Sequence, residues 1–210
     1  SQVSRVESRK RWIFAEAAQG DITIDEGAAE ALLKRALSMQ KNTLGPEHPE
    51  TAQSLSNLAS LHFHQEQYPE AELLAEQALS IQKKTLGMEH PVTVVGLNNL
   101  AEIYRVRERT SEAEQLYNQA FQIAYSTGNY RAQISTGLNL ASLHTTQDRP
   151  EAALQALDKA TNAVEALFAR TRGLSATHRY GVLRSTGSIY PSYLLLLAGQ
   201  HLTQANTAHD

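Results

Sequence analysis

The stretch Leu44-Gly45-Pro46-Glu47-His48-Pro49 returns 42 residues later as Leu86-Gly87-Met88-Glu89-His90-Pro91. The residues after each copy return too. Asn57-Leu58-Ala59-Ser60-Leu61-His62 becomes Asn99-Leu100-Ala101-Glu102-Ile103-Tyr104 at the same offset, and Asn139-Leu140-Ala141-Ser142-Leu143-His144 after a further 40. Self-similarity at such a period marks stacked supersecondary units, each too small to bury its apolar face alone. Function in such an array resides on a shared surface more often than in one catalytic pocket.

Within a unit, Leu55, Leu58, Ala59 and His62 recur at helical spacing, and so do Ala71, Leu74, Ala75 and Ala78. Each unit therefore reads as a pair of helices. Residues 64–69 form the turn inside the pair, matched by 107–110 and 147–150, and Pro69 suits the first turn of the second helix. Gly45, Gly87 and Gly128 close the second helices, where a left-handed cap costs least in a residue without Cβ. His-Pro at the join disfavours helical geometry at the histidine, so the chain turns there. Ala59, Ala101 and Ala141 mark where the first helix meets its partner, and Ala71, Ala113 and Ala153 hold the matching place on the second. Ala78, Ala120 and Ala160 face the next unit.

The small residue of the first helix, the paired alanines of the second and the Pro-containing turn resemble the tetratricopeptide repeat. The longer unit, with Leu-Gly-x-x-His-Pro and Leu97-Asn98-Asn99-Leu100-Ala101, is more similar to the kinesin light chain type, over roughly residues 26–165. Two departures stand out: Ser56-Asn57 in the first copy, and Leu138-Asn139 without His-Pro in the third. The expected fold is an all-α, right-handed superhelical solenoid of antiparallel helix pairs. Residues 1–172 form the array, with a degenerate first repeat at 1–43 and repeats at 44–85, 86–127 and 128–172. Residues 173–210 are a helical extension, read as an incomplete further repeat.

Residues 26–43 read as the second helix of that first unit, because Ala29 and Ala36 precede Ala71 and Ala78 by 42. Its partner helix is expected at about 3–19, with Trp12, Ile13, Phe14 and Ala17. The tail from Arg179 to Leu197 resembles the segment that follows such repeats in bacterial proteins ending in a caspase-like CHAT domain. That resemblance implies a parent chain continuing beyond Asp210, of which this is a sensor or docking arm.

Composition narrows the function classes. With no cysteine, disulfides, thiolate metal sites and cysteine nucleophiles are excluded, and a reducing cytoplasm is the expected location. The net charge is −3; residues 1–159 carry 15 basic and 20 acidic side chains, and 160–210 carry four arginines against Glu165 and Asp210. Neither part is basic enough to make nucleic acid a partner. The apolar run at 193–198 falls far short of the roughly 20 residues that span a bilayer, so no membrane is expected. Glycine-rich phosphate loops, a nucleophile elbow and a histidine with an acid partner are all missing from the sequence pattern, so neither enzymatic activity nor a cofactor is expected. Glu47-His48 and Glu89-His90 recur at joins and read as turn geometry, while His62 and His64 fall on different helix faces, so no metal is expected. Arg170, Arg172, Arg179 and Arg184 read as a solvated face or as contacts to a following domain.

With Leu55, Leu58, Ala59 and His62 turned into the stack, the opposite stripe of the first helices becomes the candidate binding groove. It carries Gln53, Ser56, Asn57, Ser60, Phe63 and His64, then Val95, Asn98, Asn99, Glu102 and Arg105, then Ser135, Asn139, Ser142, Thr145 and Thr146. Among these, Gln53, Asn57, Ser60, His64, Asn98, Asn99, Glu102, Arg105, Asn139, Ser142 and Thr146 are the candidate peptide contacts. An asparagine offers donors and an acceptor together, which suits the main chain of an extended segment, and the family resemblance implies the same role. The competing reading is that these asparagines brace neighbouring helices. The expected function is a non-catalytic scaffold binding a protein or peptide in its concave groove. The alternatives are the CHAT-linked sensor arm and a peptide-responsive signalling receptor, although no helix-turn-helix precedes the repeats. An unpaired last helix would also favour self-association.

Overall fold

The computed structural model describes residues 26–171, and every element in that span is an α-helix. In chain order these are α1 (Glu26–Thr43), α2 (Pro49–His64), α3 (Tyr68–Thr85), α4 (Pro91–Val106), α5 (Thr110–Ser126), α6 (Tyr130–Thr146) and α7 (Pro150–Thr171). The helix expected at 3–19, the extension at 173–210 and the CHAT-like tail lie outside the described residues. Helices pair as α2–α3, α4–α5 and α6–α7, and each second helix packs on the first helix of the next pair, beginning with α1 on α2. The first helices also touch one another, α2 with α4 and α4 with α6, and so form one continuous face.

The alanines do what their spacing predicts. Ala71, Ala113 and Ala153 are fully buried, as are Ala101, Ala120 and Ala160. Close helix approach is possible only where side chains are this small. Around them Leu55, Leu58, Leu97, Leu100, Tyr117, Leu140, Leu143 and Leu157 fill the remaining space, and each fully buried leucine contributes about 2 kcal/mol.

Two kinds of chain reversal hold the pairs in register. Inside each pair, Glu66, Glu108 and Asp148 adopt a left-handed conformation at φ of 60°, 60° and 55°. The next amide then reaches back five residues: Arg109 N–H donates to the Tyr104 carbonyl at 2.9 Å and Arg149 N–H to the His144 carbonyl at 3.0 Å, which is the Schellman way of closing a helix. Between pairs the left-handed residue is glycine, at Gly45, Gly87 and Gly128.

The first two joins use the same chemistry. His48 Nδ1 accepts from Glu50 N–H and His90 Nδ1 from Val92 N–H, both at 3.2 Å, so each histidine caps a helix whose Pro follows it. The Thr51 and Thr93 hydroxyls donate to the Gly45 and Gly87 carbonyls at 2.8 and 2.7 Å. The third join, residues 127–129, is shorter. There the Asn129 side chain caps α6 by accepting from Ala132 N–H at 3.2 Å, and Gln133 Nε2 donates to the Ala124 carbonyl at 3.0 Å.

At the opposite end of the pairs, turn arginines reach back one unit. Arg107 and Arg109 both bind Glu72, and Arg149 binds Glu114 at 3.0 Å. The Arg109 guanidinium also lies 3.9 Å over the Tyr104 ring. Clasps this close to solvent contribute about 1 kcal/mol or less apiece.

Candidate functional site

On the first-helix face, a cleft of about 220 Å³ opens between α2 and α4. Four of the sequence-predicted residues line it together: Ser60 and His64 from α2, Asn99 and Glu102 from α4. Its apolar floor comes from Ala59, Phe63, Ala75 and Ile103. Phe63 is held edge-on between His64 and Tyr68, with ring centroids 5.8 and 5.7 Å away.

The floor depends on a glycine. Gln82 on α3 is buried and donates its Nε2 to Ser56 Oγ at 3.2 Å, while a Cβ built on Gly96 would lie 2.4 Å from Gln82 Oε1. A side chain at position 96 would have to displace this amide, so the glycine lets Gln82 keep its place beside α4. Ser56 and Gly96 themselves line the cleft.

Glu102 is anchored from behind. Arg105 donates to both carboxylate oxygens, from Nε at 2.9 Å and from a terminal nitrogen at 2.6 Å, and the Tyr117 hydroxyl donates to Oε2 at 2.6 Å. The Arg105 hydrogen bond, outweighing desolvation, holds the Glu102 carboxyl below its ordinary range, so it stays ionised. Burial, then the carboxylate it serves, pushes the Tyr117 hydroxyl well up. The outward stripe of the sequence gives no sign of Tyr117, nor of Ala75, Gly96 and Ile103, because helical spacing counts three of these as core and Gly96 offers no side chain.

The other candidates are placed differently. Asn98 is half-buried and donates to Thr136 Oγ1 on α6 at 2.8 Å, which ties α4 to α6. Asn57 accepts from Gln53 one turn earlier at 3.1 Å. Asn99 is exposed and makes no side-chain hydrogen bond among the described residues. Asn139, Ser142 and Thr146 lie on α6, outside the cleft, with the Thr146 hydroxyl turned to the Leu143 carbonyl at 2.8 Å. His62 and His144 are core residues at 7% exposure each, and His62 Nδ1 meets Gln67 Oε1. Among the described residues, no group of three or more His, Asp or Glu side chains is arranged to hold a metal ion, and no helix is long and apolar enough to cross a membrane.

A second, wider cavity of about 670 Å³ sits beside the short third join, between α5 and α7. Phe121, Tyr125 and Tyr130 line it, and Lys159 stands 5.6 Å over the Phe121 ring.

Known proteins share this architecture. Solved structures with the same fold include two of a candidate kinesin light chain with nearly identical TPR-like repeats from Podosopora anserina. One, a point-substituted form, aligns over 100% of this chain and 99% of its own at TM-score 0.65 and 24% identity, and the other over 99% and 98% at 0.64 and 26%. BtubC (BKLC) from P. vanneervenii aligns over 88% of this chain and 75% of its own at 0.62 and 19% identity. Among curated proteins, glutamate 5-kinases of Citrobacter koseri and Salmonella arizonae are 51% identical over 39 residues, a match spanning 19% of this chain and only 11% of theirs. So short a segment carries no kinase activity across. The tetratricopeptide repeat model matches residues 25–84, 55–126 and 93–166, overlapping windows that follow the helix pairs. Period, paired helices and alanine contacts thus converge with that match, and the chain belongs to the tetratricopeptide repeat family.

Proposed function

We propose that this array is a non-catalytic scaffold that binds an extended segment of a partner protein along the face formed by α2, α4 and α6. Tetratricopeptide arrays generally serve protein interaction, and the observation that carries the finer reading is the α2–α4 cleft. It joins an apolar floor to exposed polar side chains, on helices already held rigid by their packing. Preformed polar groups of this kind lower the ordering cost of binding. Asn99 is the groove residue best placed to meet a main chain, since its amide is exposed and uncommitted. Asn98 fits the bracing role instead, because its donor is spent on Thr136.

The test is to immobilise the chain, offer it a peptide digest of its source proteome, and compare recoveries. Ser60→Arg with Asn99→Arg blocks the first-helix face, and Gln77→Arg with Gln119→Arg alters exposed positions on α3 and α5. The groove variant is expected to lose the bound peptides by about tenfold or more while the outer variant keeps them. Equal recovery by the two variants overturns the reading.

A further inference from the structure

The cleft between α2 and α4 presents one ionised carboxylate, whose ion-pair partner stands outside the lining. Glu102 is the one carboxylate that lines it, and Arg105, its partner, does not reach the lining. The equivalent places on the neighbouring first helices are Ser60 and Ser142, so the carboxylate is peculiar to this point in the array. Tyr117 explains how it is kept there. At the corresponding place the other second helices carry Leu33, Ala75 and Leu157, which have no hydroxyl to offer. In α5 alone a fully buried tyrosine fixes a groove carboxylate from behind.

The floor beside Glu102 is apolar, made by Phe63, Ala59, Ala75 and Ile103, while Ser56, Ser60, His64 and Asn99 supply the polar part of the lining. A long aliphatic stem ending in a cation is the side chain that satisfies both features at once. Its methylenes gain by leaving water along the floor, its charge meets a carboxylate already ionised, and the Phe63 ring adds a favourable face. An acidic side chain would meet like charge, and a purely aliphatic one would leave the carboxylate without a new donor.

We propose that this cleft is a subsite for a single lysine or arginine of the bound segment, with the stem against Phe63 and Ile103 and the cation at Glu102. The proposal rests on the groove reading and adds to it both a chemistry and a register. The basic residue sits between the first two complete pairs, and the flanking residues of the segment face uncharged Asn, Ser and Thr side chains.

The experiment uses the full chain, labelled with ¹⁵N, and three blocked peptides: Ac-Ser-Ala-Lys-Ala-Ser-NH₂ and its norleucine and glutamate counterparts. Amide shifts are expected at Ser60, Asn99, Glu102 and Ile103, with the lysine peptide binding about fivefold or more tightly than norleucine and the glutamate peptide weakest. Glu102→Gln should reduce the lysine preference to within about twofold, and Ser60→Lys, a change at an exposed position, should abolish it. Equal binding of lysine and norleucine at the cleft overturns the subsite and leaves the groove reading standing. A lysine preference that survives both substitutions also overturns the subsite. Shifts confined to the second helices, or none on the first-helix face, overturn both.

Discussion

The α4–α5 and α6–α7 pairs solve one packing problem with opposite residues. In the first, Leu97 and Tyr117 are both fully buried and fill the space between the helices. In the second, the place of Leu97 is taken by Gly137 and that of Tyr117 by Leu157. A Cβ on Gly137 would lie 2.9 Å from Ala160 Cβ and 3.1 Å from the Ala156 carbonyl oxygen, so the two backbones close on each other there. The repeat thus prescribes an outline, and each pair fills it by trading side-chain volume against backbone distance.

The strongest way to break this comparison is to give the last pair the residue its neighbours carry. Gly137→Leu should destabilise the chain by about 3 kcal/mol or more, because overpacked backbone cannot move aside as a flexible side chain can. Urea unfolding measures this, and a neutral effect would show that the pairs are interchangeable after all.

A smaller effect should separate the joins. Gln133→Leu removes a buried hydrogen bond at the short join and should cost about 2 kcal/mol, against about 1 kcal/mol for Thr93→Val at the regular one. Equal costs in the same unfolding assay would mean that the two joins depend on their side chains alike.

The smallest effect concerns the place shared by Tyr104 and His144. Burial pushes the Tyr104 hydroxyl up to about 12, far from neutral pH. Burial lowers the His144 pKa, partly opposed by Glu114. The unfolded chain therefore takes up the proton first, at about 6.5. Stability from this site is fully present above that value and declines as the pH falls from there toward the folded pKa. Melting temperature followed from pH 8 to pH 5 should show that decline in the wild type and a shallower one in His144→Tyr; parallel curves would remove the histidine from the account.

Most of the fold could be read without coordinates. The 42-residue offset places α1 at 26–43, and together with the 40-residue offset of the last unit it places the alanines of all three pairs in helix contacts, because steric demands at those points allow little else. Turn chemistry was read only in part. Gly45, Gly87 and Gly128 declare a left-handed backbone, whereas Glu66, Glu108 and Asp148 adopt the same geometry without any sequence sign of it. The site was less legible. The helical pattern points both Asn98 and Asn99 outward, yet one residue rotates a helix by about 100°. Only Asn99 lines the cleft, and Asn98 turns to α6. The Tyr117–Glu102 bond joins two helices and depends on their mutual rotation, which no periodicity encodes.

Among the described residues, the main contacts run between helices that are neighbours in the chain or one step beyond. None of these pairings waits on the closure of a long loop, so assembly can start at any of the described pairs and spread along the rod. Melting should accordingly fray inward from an end, with amide exchange slowest around α4 and α5, in place of one all-or-none collapse.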